Sequence, residues 1–443
     1  MVTPWDQKIL FIKESKKFYS KISYKGISLW PIMAPEVYVY YKSPEKVPWR
    51  KIAMILKCLF TKDKFNIKGK KGNILASYIM ARKDHHNLVK KALEKFPKKD
   101  ITMLDAYEYK KSNSPFKVSY KIPNIFLLYK IWKKFKKSNM KEVLEDKYFF
   151  FIARTYFRYK QIEQFQKIYE EYTPKAYISF CSQAFPEEAI LTLICKNNNV
   201  PTFTLQHGFI IEYPRFHAAS ILQENIVSDY NLIWGEKTAD VLKEYTNKKS
   251  ILVAGNPKIS SMEKKSKRIS RSKKGVVFLP VIGPDSSSPK ICNLINEFAH
   301  KNPKIKLEIS LHPFDDPKNY EKLITSKNIS FIKNGVSIKD ILSSHDFMIL
   351  HNSTVAIEAL GHHKPIFRFK DDALVSLWKN NDTFGSSKEL EMLIKNIENS
   401  KTHKRWIDLY EKEFKKNFFI PSRGTVPQNY YREVMNIISK NNL

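Results

Sequence analysis

The sequence predicts an α/β protein built from two Rossmann-like domains that face a central cleft. Short apolar runs of strand length alternate with segments whose apolar residues recur at three- and four-residue steps, which implies parallel sheets covered by helices. The alternation occurs in two blocks of comparable size. A polar stretch at 256–275, with one short apolar cluster amid basic and Ser residues, separates them. In open sheets of this kind ligands bind outside the carboxyl ends of the strands, so residues just after each strand matter most.

Residues 1–70 are a basic, aromatic-rich preamble containing KISYKGISLWPIMAPEVYVYY. NILASYIMA (73–81) then reads as a strand, RKDHH (82–86) as a basic turn, NLVKKALEKF (87–96) as a helix and ITMLDAY (101–107) as a returning strand, a βαβ opening. Residues 141–172 are helical, with Tyr156, Tyr159, Ile162, Phe165, Ile168 and Tyr169 on one apolar face. AYISF (176–180), VPTFTLQ (200–206), NLIWG (231–235) and SILVAG (250–255) are strands, with a helix over 187–198. The second block repeats the pattern: strands GVVFLP (275–280), KLEISL (306–311), ISFIK (329–333), DFMILH (346–351) and PIFRF (365–369), with helices over 288–300, 337–344 and 354–361. The last 40 residues read as helices separated by FIPSRG. The expected division is an N-terminal extension (1–70), a first domain (71–250), a second domain (251–415) and a C-terminal helix (416–443) able to return to the first domain.

Composition sets bounds. With 443 residues, 43% apolar and 27% charged, the chain can bury a real core and is not disordered throughout. Cys58, Cys181, Cys195 and Cys292 show no CxxC spacing and read as buried reduced thiols of a cytoplasmic protein, with no zinc site. The first twenty residues carry charges inside every apolar stretch, unlike a signal peptide, and no window is long and apolar enough to span a membrane. The formal net charge is +33, and residues 1–150 hold 34 Lys+Arg against 13 Asp+Glu. A basic end of that kind suits a polyanion such as an anionic bilayer or a phosphorylated lipid carrier; Lys filling solvated positions is the plain alternative. Nucleic acid is disfavoured, because no RNP, KH or helix-turn-helix pattern accompanies the charge.

Four strand ends carry unusual chemistry. His207 sits between Gln206 and Gly208 directly after VPTFTL, where an imidazole faces the crevice and can act as a general base or donate to an anion. His312 follows KLEIS, with Pro313 fixing the backbone beyond it. In His351-Asn352-Ser353-Thr354 the hydroxyls precede a helix whose first N–H groups would suit a phosphate, and Glu358 lies one turn on. The loop from Gly283 through Asp285 to Ser286 and Ser288 is small, polar and rich in donors. It fits neither GxGxxG nor a Walker motif. His85 and His86 are adjacent, so they point different ways and make no two-ligand metal face. Asp315-Asp316 and Asp371-Asp372 form no DxD, so no metal is expected.

Together these segments resemble the GT-B glycosyltransferases, more narrowly the bacterial enzymes of capsule and lipopolysaccharide biosynthesis. PKAYISF…NNNVPTFTLQHG looks like their QHG segment and ILVAGNPK (251–258) like their G-x-P element at the crossover. SLHP and DILSSHDFMILHNSTVAIEALGHHKPIF resemble the HP and Ser/Thr motifs of CMP-sialic acid and CMP-Kdo transferases. The likeness covers 175–370 well, 73–107 loosely and 1–70 hardly at all. It implies His312 with Pro313 on the donor phosphate, and Asn352, Ser353 and Thr354 holding the same phosphate. It also implies Glu358 near the nucleotide or its sugar, with Gly255, Asn256, Gly283, Asp285 and Ser286 lining the donor side and His207 the cleft. The acidic motif that supplies the base in such sialyltransferases is missing; Asp84 is the best placed substitute, with His207 and His86 as alternatives. The CDP-glycerol polymerases also use a cleft His, but HNST lacks the Asp of their motif.

The expected activity is metal- and cofactor-independent transfer of a sugar from a nucleotide-sugar donor, CMP-activated for preference (sialic acid or Kdo), to a glycan or lipid-linked glycan. The basic N-terminal part would rest on the inner face of the cytoplasmic membrane. A non-hydrolysing UDP-sugar 2-epimerase shares the layout and is the first rival. A CDP-glycerol-type phosphotransferase and a non-catalytic basic binding protein follow.

Overall fold

The computed structural model describes the chain except residues 1–3, 43–47, 63–66, 69–70, 80–81, 106–118, 121, 209, 211–219, 259–273, 281–285, 313–314, 334, 373, 375–381, 418–424 and 442–443. Two short antiparallel pairs sit in the N-terminal part: β1 (Ser23–Tyr24) with β2 (Ile27–Ser28), and β3 (Thr61–Lys62) with a later strand. After β4 (Ile67–Lys68) come β5 (Ile74–Tyr78), β6 (Ile101–Asp105), β7 (Ser119–Tyr120, the partner of β3), β8 (Ala176–Ser179), β9 (Thr202–Leu205), β10 (Tyr230–Ile233) and β11 (Ile251–Val253). They build a seven-stranded sheet in the order β11-β10-β9-β8-β5-β6-β4, parallel except for β4. A second sheet holds β12 (Lys274–Phe278), β13 (Lys306–Ser310), β14 (Ile329–Phe331), β15 (Phe347–Leu350), β16 (Ile366–Phe369) and β17 (Thr383–Phe384), all parallel, in the order β14-β13-β12-β15-β16-β17.

Burial on both faces explains the run-on apolar strands: β5, β8, β9, β15 and β16 are buried at every position. Gly275 is required where β12 passes Phe347, since a Cβ there would lie 2.3 Å from the ring. β11 pairs with β10 in register Leu232↔Leu252, so it ends the first sheet; the boundary expected at 251 moves to the segment after it.

The N-terminal preamble is an integral layer. Helices Pro4–Tyr19, Trp30–Lys42 and Pro48–Phe60 pack with Tyr148–Tyr172 and Pro186–Asn197 around a core containing Leu29, Ile32, Phe135, Phe151 and Leu191. Helix Tyr148–Tyr172 departs from the single apolar face expected of it. Phe150 through Tyr159 are buried except Arg154, so its first half is enclosed on all sides. An ion network secures that enclosure. Arg158 Nη1 donates to Glu187 at 2.7 Å, Arg154 and Arg158 both bond the buried Glu36, and the guanidiniums hold both carboxyls well below their usual range.

The C-terminal helix, Val426–Asn441, returns to the first sheet. Gly255 adopts φ +94° and lies under Val426, Tyr430 donates to Gly255 O at 2.9 Å, and Phe96 meets Tyr431 edge-on at 5.2 Å.

Candidate functional site

Register places the candidate residues on two facing rims. In the first sheet Ser77 pairs with Ser179, Ser179 with Thr204 and Leu205 with Leu232, so the segments after β5, β8, β9 and β10 leave the sheet side by side. In the second sheet Ser310 and Leu350 both pair with Phe278. His312 and Asn352, each two residues further on, therefore flank the end of β12 across two strand spacings, roughly 10 Å. The rims approach each other: a Cβ on Gly208 would lie 3.9 Å from Thr354 Cγ2, so the QHG turn of one sheet comes within a side chain's reach of the Ser/Thr turn of the other.

The QHG turn is braced by its own glutamine. Gln206 Oε1 accepts from Trp234 N and its Nε2 donates to Gly208 O, both at 2.8 Å, tying the turn to the end of β10. His207 is thus presented in a fixed direction, packed on Phe180 at 5.5 Å and edge-on to His85 at 6.0 Å. Burial, reinforced by the charges of Arg82 and Lys258, lowers its pKa to about 4, so the imidazole is neutral at physiological pH.

The histidine pair after β5 divides differently from expectation. Lys83–Ala92 is already helical, so the predicted basic turn is the first turn of a helix. His86 turns inward and its Nε2–H donates to the buried Asp105 at 2.9 Å, which removes it from the cleft. His85 is the one that meets His207. Asp84 lies between Lys83 and His85, and its side chain is outside the described residues.

Beside His207 a cavity of about 180 Å³ is lined by Cys181, Gln183, Thr204, Gln206, Gln223 and Asn231, with Ile210 and Leu222 as apolar wall. Asn231 is 2% exposed, and neither atom of its carboxamide finds a protein partner. An amide left so in an apolar interior costs about 1–3 kcal/mol, so this one is built for a guest, solvent or ligand. Read along the chain, NLIWG gave no sign of it.

On the second rim, helix Val355–Gly361 starts with its first amides engaged. Ser353 Oγ accepts from Val355 N at 3.3 Å, and Ala356 and Ile357 N–H groups bond Ser353 O and Thr354 O. Thr354 makes no capping bond. The free N–H groups expected for a phosphate are therefore few. His312 is half-buried, and its carbonyl accepts from Asp315 N at 2.8 Å. Asn352, Ser353, Thr354 and Glu358 are likewise half-buried. Ser286 accepts from Ser288 N at 3.2 Å, while Gly283, Asp285 and Pro313 lie outside the described residues. Asn256 is buried, its Oδ1 accepting from Lys258 N at 3.0 Å; with Gly255 it shapes the crossover and aims Lys258 toward His207.

A further cluster was hidden from the sequence. His351 Nε2–H donates to Asp371 at 2.9 Å, and Ser287 Oγ also donates to Asp371, joining the starts of three different connections around β12. Among the described residues no group of three or more His, Cys, Asp or Glu side chains could hold a metal ion.

No family profile and no curated protein matches the chain. Solved structures do. S. aureus MnaA with UDP aligns at 14% identity and TM-score 0.53, covering 84% of this chain and 97% of that one. UDP-GlcNAc 2-epimerase from Neisseria meningitidis bound to UDP-GlcNAc aligns at 13% identity and TM-score 0.50, covering 83% and 99%. The fold is GT-B. The lipopolysaccharide outer core galactosyltransferase WaaB in its apo form aligns at 11% identity and TM-score 0.49, covering 82% and 99%. Likeness at such identity establishes the two-domain architecture alone.

Proposed function

We propose that the chain is a nucleotide-sugar-dependent glycosyltransferase whose cleft base is His207. The observation that carries this reading is the close approach of the QHG turn to Thr354, beside a cavity that offers an unpaired carboxamide. The acceptor's ring occupies that cavity, with Asn231 and Thr204 bonding its hydroxyls. A cavity of about 150 Å³ holds one six-membered ring, so this one suits a single pyranose. The attacking hydroxyl then lies against His207. Its proton passes to the imidazole, the oxygen bonds the anomeric carbon, and the carbon–phosphate oxygen bond breaks with its electron pair leaving on the nucleotide. His312, Thr354, Arg82 and Lys258 stabilise the departing anion, the largest contribution in sites of this type. The same anion offsets the cations that depress His207, so donor binding strengthens the base. The donor phosphate supplies what the free site lacks.

We take the donor to be a CMP-activated acidic sugar, on the HP and HNST segments at the ends of β13 and β15, and the transfer to need no metal. Thermal-shift measurements with CMP, CDP, UDP and GDP, with and without EDTA, test this, since a nucleotide bound to the native state raises Tm. CMP should give the largest shift and EDTA should not reduce it; no shift with any nucleotide overturns the donor site.

The epimerase reading keeps its place because MnaA and the N. meningitidis epimerase share the architecture. It needs carboxylates at the sugar. On the first rim Asp105 is buried against His86, and His207 is the group presented to the gap, which supports transfer. Incubation with UDP-GlcNAc and no acceptor, followed by NMR of the sugar, decides it: an epimerase converts the sugar and a transferase leaves it unchanged.

A further inference from the structure

Two helix ends in the N-terminal layer leave their apolar residues uncovered. Helix Ile125–Lys136 buries Ile131 and Phe135. At its start Ile122, Ile125 and Phe126 are 91%, 76% and 72% exposed, with Tyr129 exposed one turn on. Helix Pro48–Phe60 buries Cys58 on one side and exposes Ile52, Leu56 and Phe60, spaced four apart on the other.

The fold brings these ends together. β3 follows Phe60 directly and pairs with β7, which ends two residues before Ile122, in register Thr61↔Tyr120. Beneath them Lys160 donates to the carbonyls of Cys58 and Leu59 at 2.9 and 3.0 Å, and its ammonium lies over the ring of Tyr156. The Tyr156 hydroxyl in turn accepts from Asn124 N at 2.7 Å. Seven large apolar side chains thus stand uncovered on two helices that the β3–β7 pair links, more than the scattered singles of an ordinary soluble surface.

The two helices themselves carry charge of one sign, while the neighbouring acids Asp146 and Glu163 are engaged by Lys51 and Tyr24. Residues 122–141 contain six lysines and no acidic residue, and residues 48–60 contain Arg50, Lys51 and Lys57 and no acidic residue. A groove of about 360 Å³ opens between Tyr24, Asn124, Phe126, Lys130, Lys134 and Tyr159, roomy enough for a phosphodiester headgroup between two ammonium groups. Exposed aromatic and aliphatic tips in a field of lysines are what an interfacial helix presents to acidic lipid.

We propose that this face docks on an anionic bilayer, with Ile122, Ile125, Phe126, Leu56 and Phe60 entering the headgroup boundary and Lys130, Lys133 and Lys134 meeting lipid phosphates. The inference stands on the patch alone and is independent of the transferase reading. Among the described residues no helix is long and apolar enough to cross a membrane, so the attachment is to one leaflet surface.

Flotation of the full chain with vesicles of phosphatidylcholine alone, or mixed with phosphatidylglycerol, tests it. Binding is expected to the mixed vesicles and weakly or not at all to the neutral ones. Ile125→Ser with Phe126→Ser should cut partitioning about tenfold. Each of Lys130→Gln, Lys133→Gln and Lys134→Gln should cut it roughly fivefold, with the lysine effect fading in high salt. These side chains are exposed, and an unchanged Tm shows that each variant folds. No flotation with either vesicle overturns the proposal, as does flotation untouched by the Ser pair. Retention on RNA without flotation would assign the lysines to nucleic acid and overturn it too. A missing nucleotide response in the same preparation bears on the donor site and leaves the vesicle result intact.

Discussion

The two halves of the molecule share a parallel sheet and differ in what surrounds it. The second is a plain doubly wound unit whose strand ends carry His312, Asn352, Thr354 and the Ser287–Asp371–His351 cluster. The first carries an added helical layer, most of the positive charge, a buried ion network and the exposed apolar residues at 52–60 and 122–129. The contrast separates tasks. On the proposed reading the second half would hold the nucleotide with strand ends and a few donors, and the added area on the side of His207 would meet the acceptor.

The sharpest test of this division is His207→Ala. Turnover should fall about 10²–10⁴-fold, the usual worth of a positioned base, while the nucleotide-induced Tm shift persists. If nucleotide binding fell with turnover, His207 would belong to the donor side. In the wild type a neutral His207 predicts a kcat/KM that holds down to about pH 5 and is lost as pH falls through about 4, while kcat, set by the donor-bound site, falls away at a higher pH.

Next in size is Arg158→Ala. It leaves the buried Glu36 with Arg154 alone and the half-buried Glu187 without its guanidinium, and should cost about 3 kcal/mol. Calorimetry should show the first half melting early and the second half near its original temperature. Gly275→Ala makes the converse cut. A Cβ against Phe347 overpacks the second sheet, at about 1–3 kcal/mol, and should lower nucleotide binding more than vesicle binding.

Much of this was legible beforehand and some was not, for physical reasons. Fully buried parallel strands have to be continuous apolar runs, so AYISF, VPTFTL, VVFL and FMIL announced themselves and the ends of two of them gave QHG and HNST positions on the rims, while HP follows KLEIS, an alternating strand. The N-terminal helices hid because their core residues are interleaved with Lys and Tyr, and because Glu36 reads as a surface residue until Arg154 and Arg158 arrive from more than a hundred positions away. His85 and His86 cannot be ranked by spacing; only the packing of their helix decides which one meets His207. Asn231 and the Ser287–Asp371–His351 cluster depend on neighbours in space that leave no local signal.

A pH-dependent effect lies beneath the first rim. Glu188 is fully buried, accepts from Cys181 N at 2.6 Å, and is pushed up to about 8 by burial. Below about pH 4.5 folded and unfolded chains both hold this proton. Between there and 8 only the folded chain does, so the associated stability is intact in acid and is lost as pH rises toward 8. Glu188→Gln should flatten that slope in a series of melts from pH 5 to 9, with little change at the acid end.

The returning helix Val426–Asn441 has a mechanical meaning. Because Tyr430 and Asn429 fasten it to the carbonyls after β11, the polypeptide spans the gap twice, once outward beyond Asn256 and once on its way home. A single tether lets two bodies swing and twist freely; a double tether leaves a door on two hinges, turning about the line that joins them. Two crossings rather than one restrict how the two sheets could shift against each other, since both links would have to be satisfied at once.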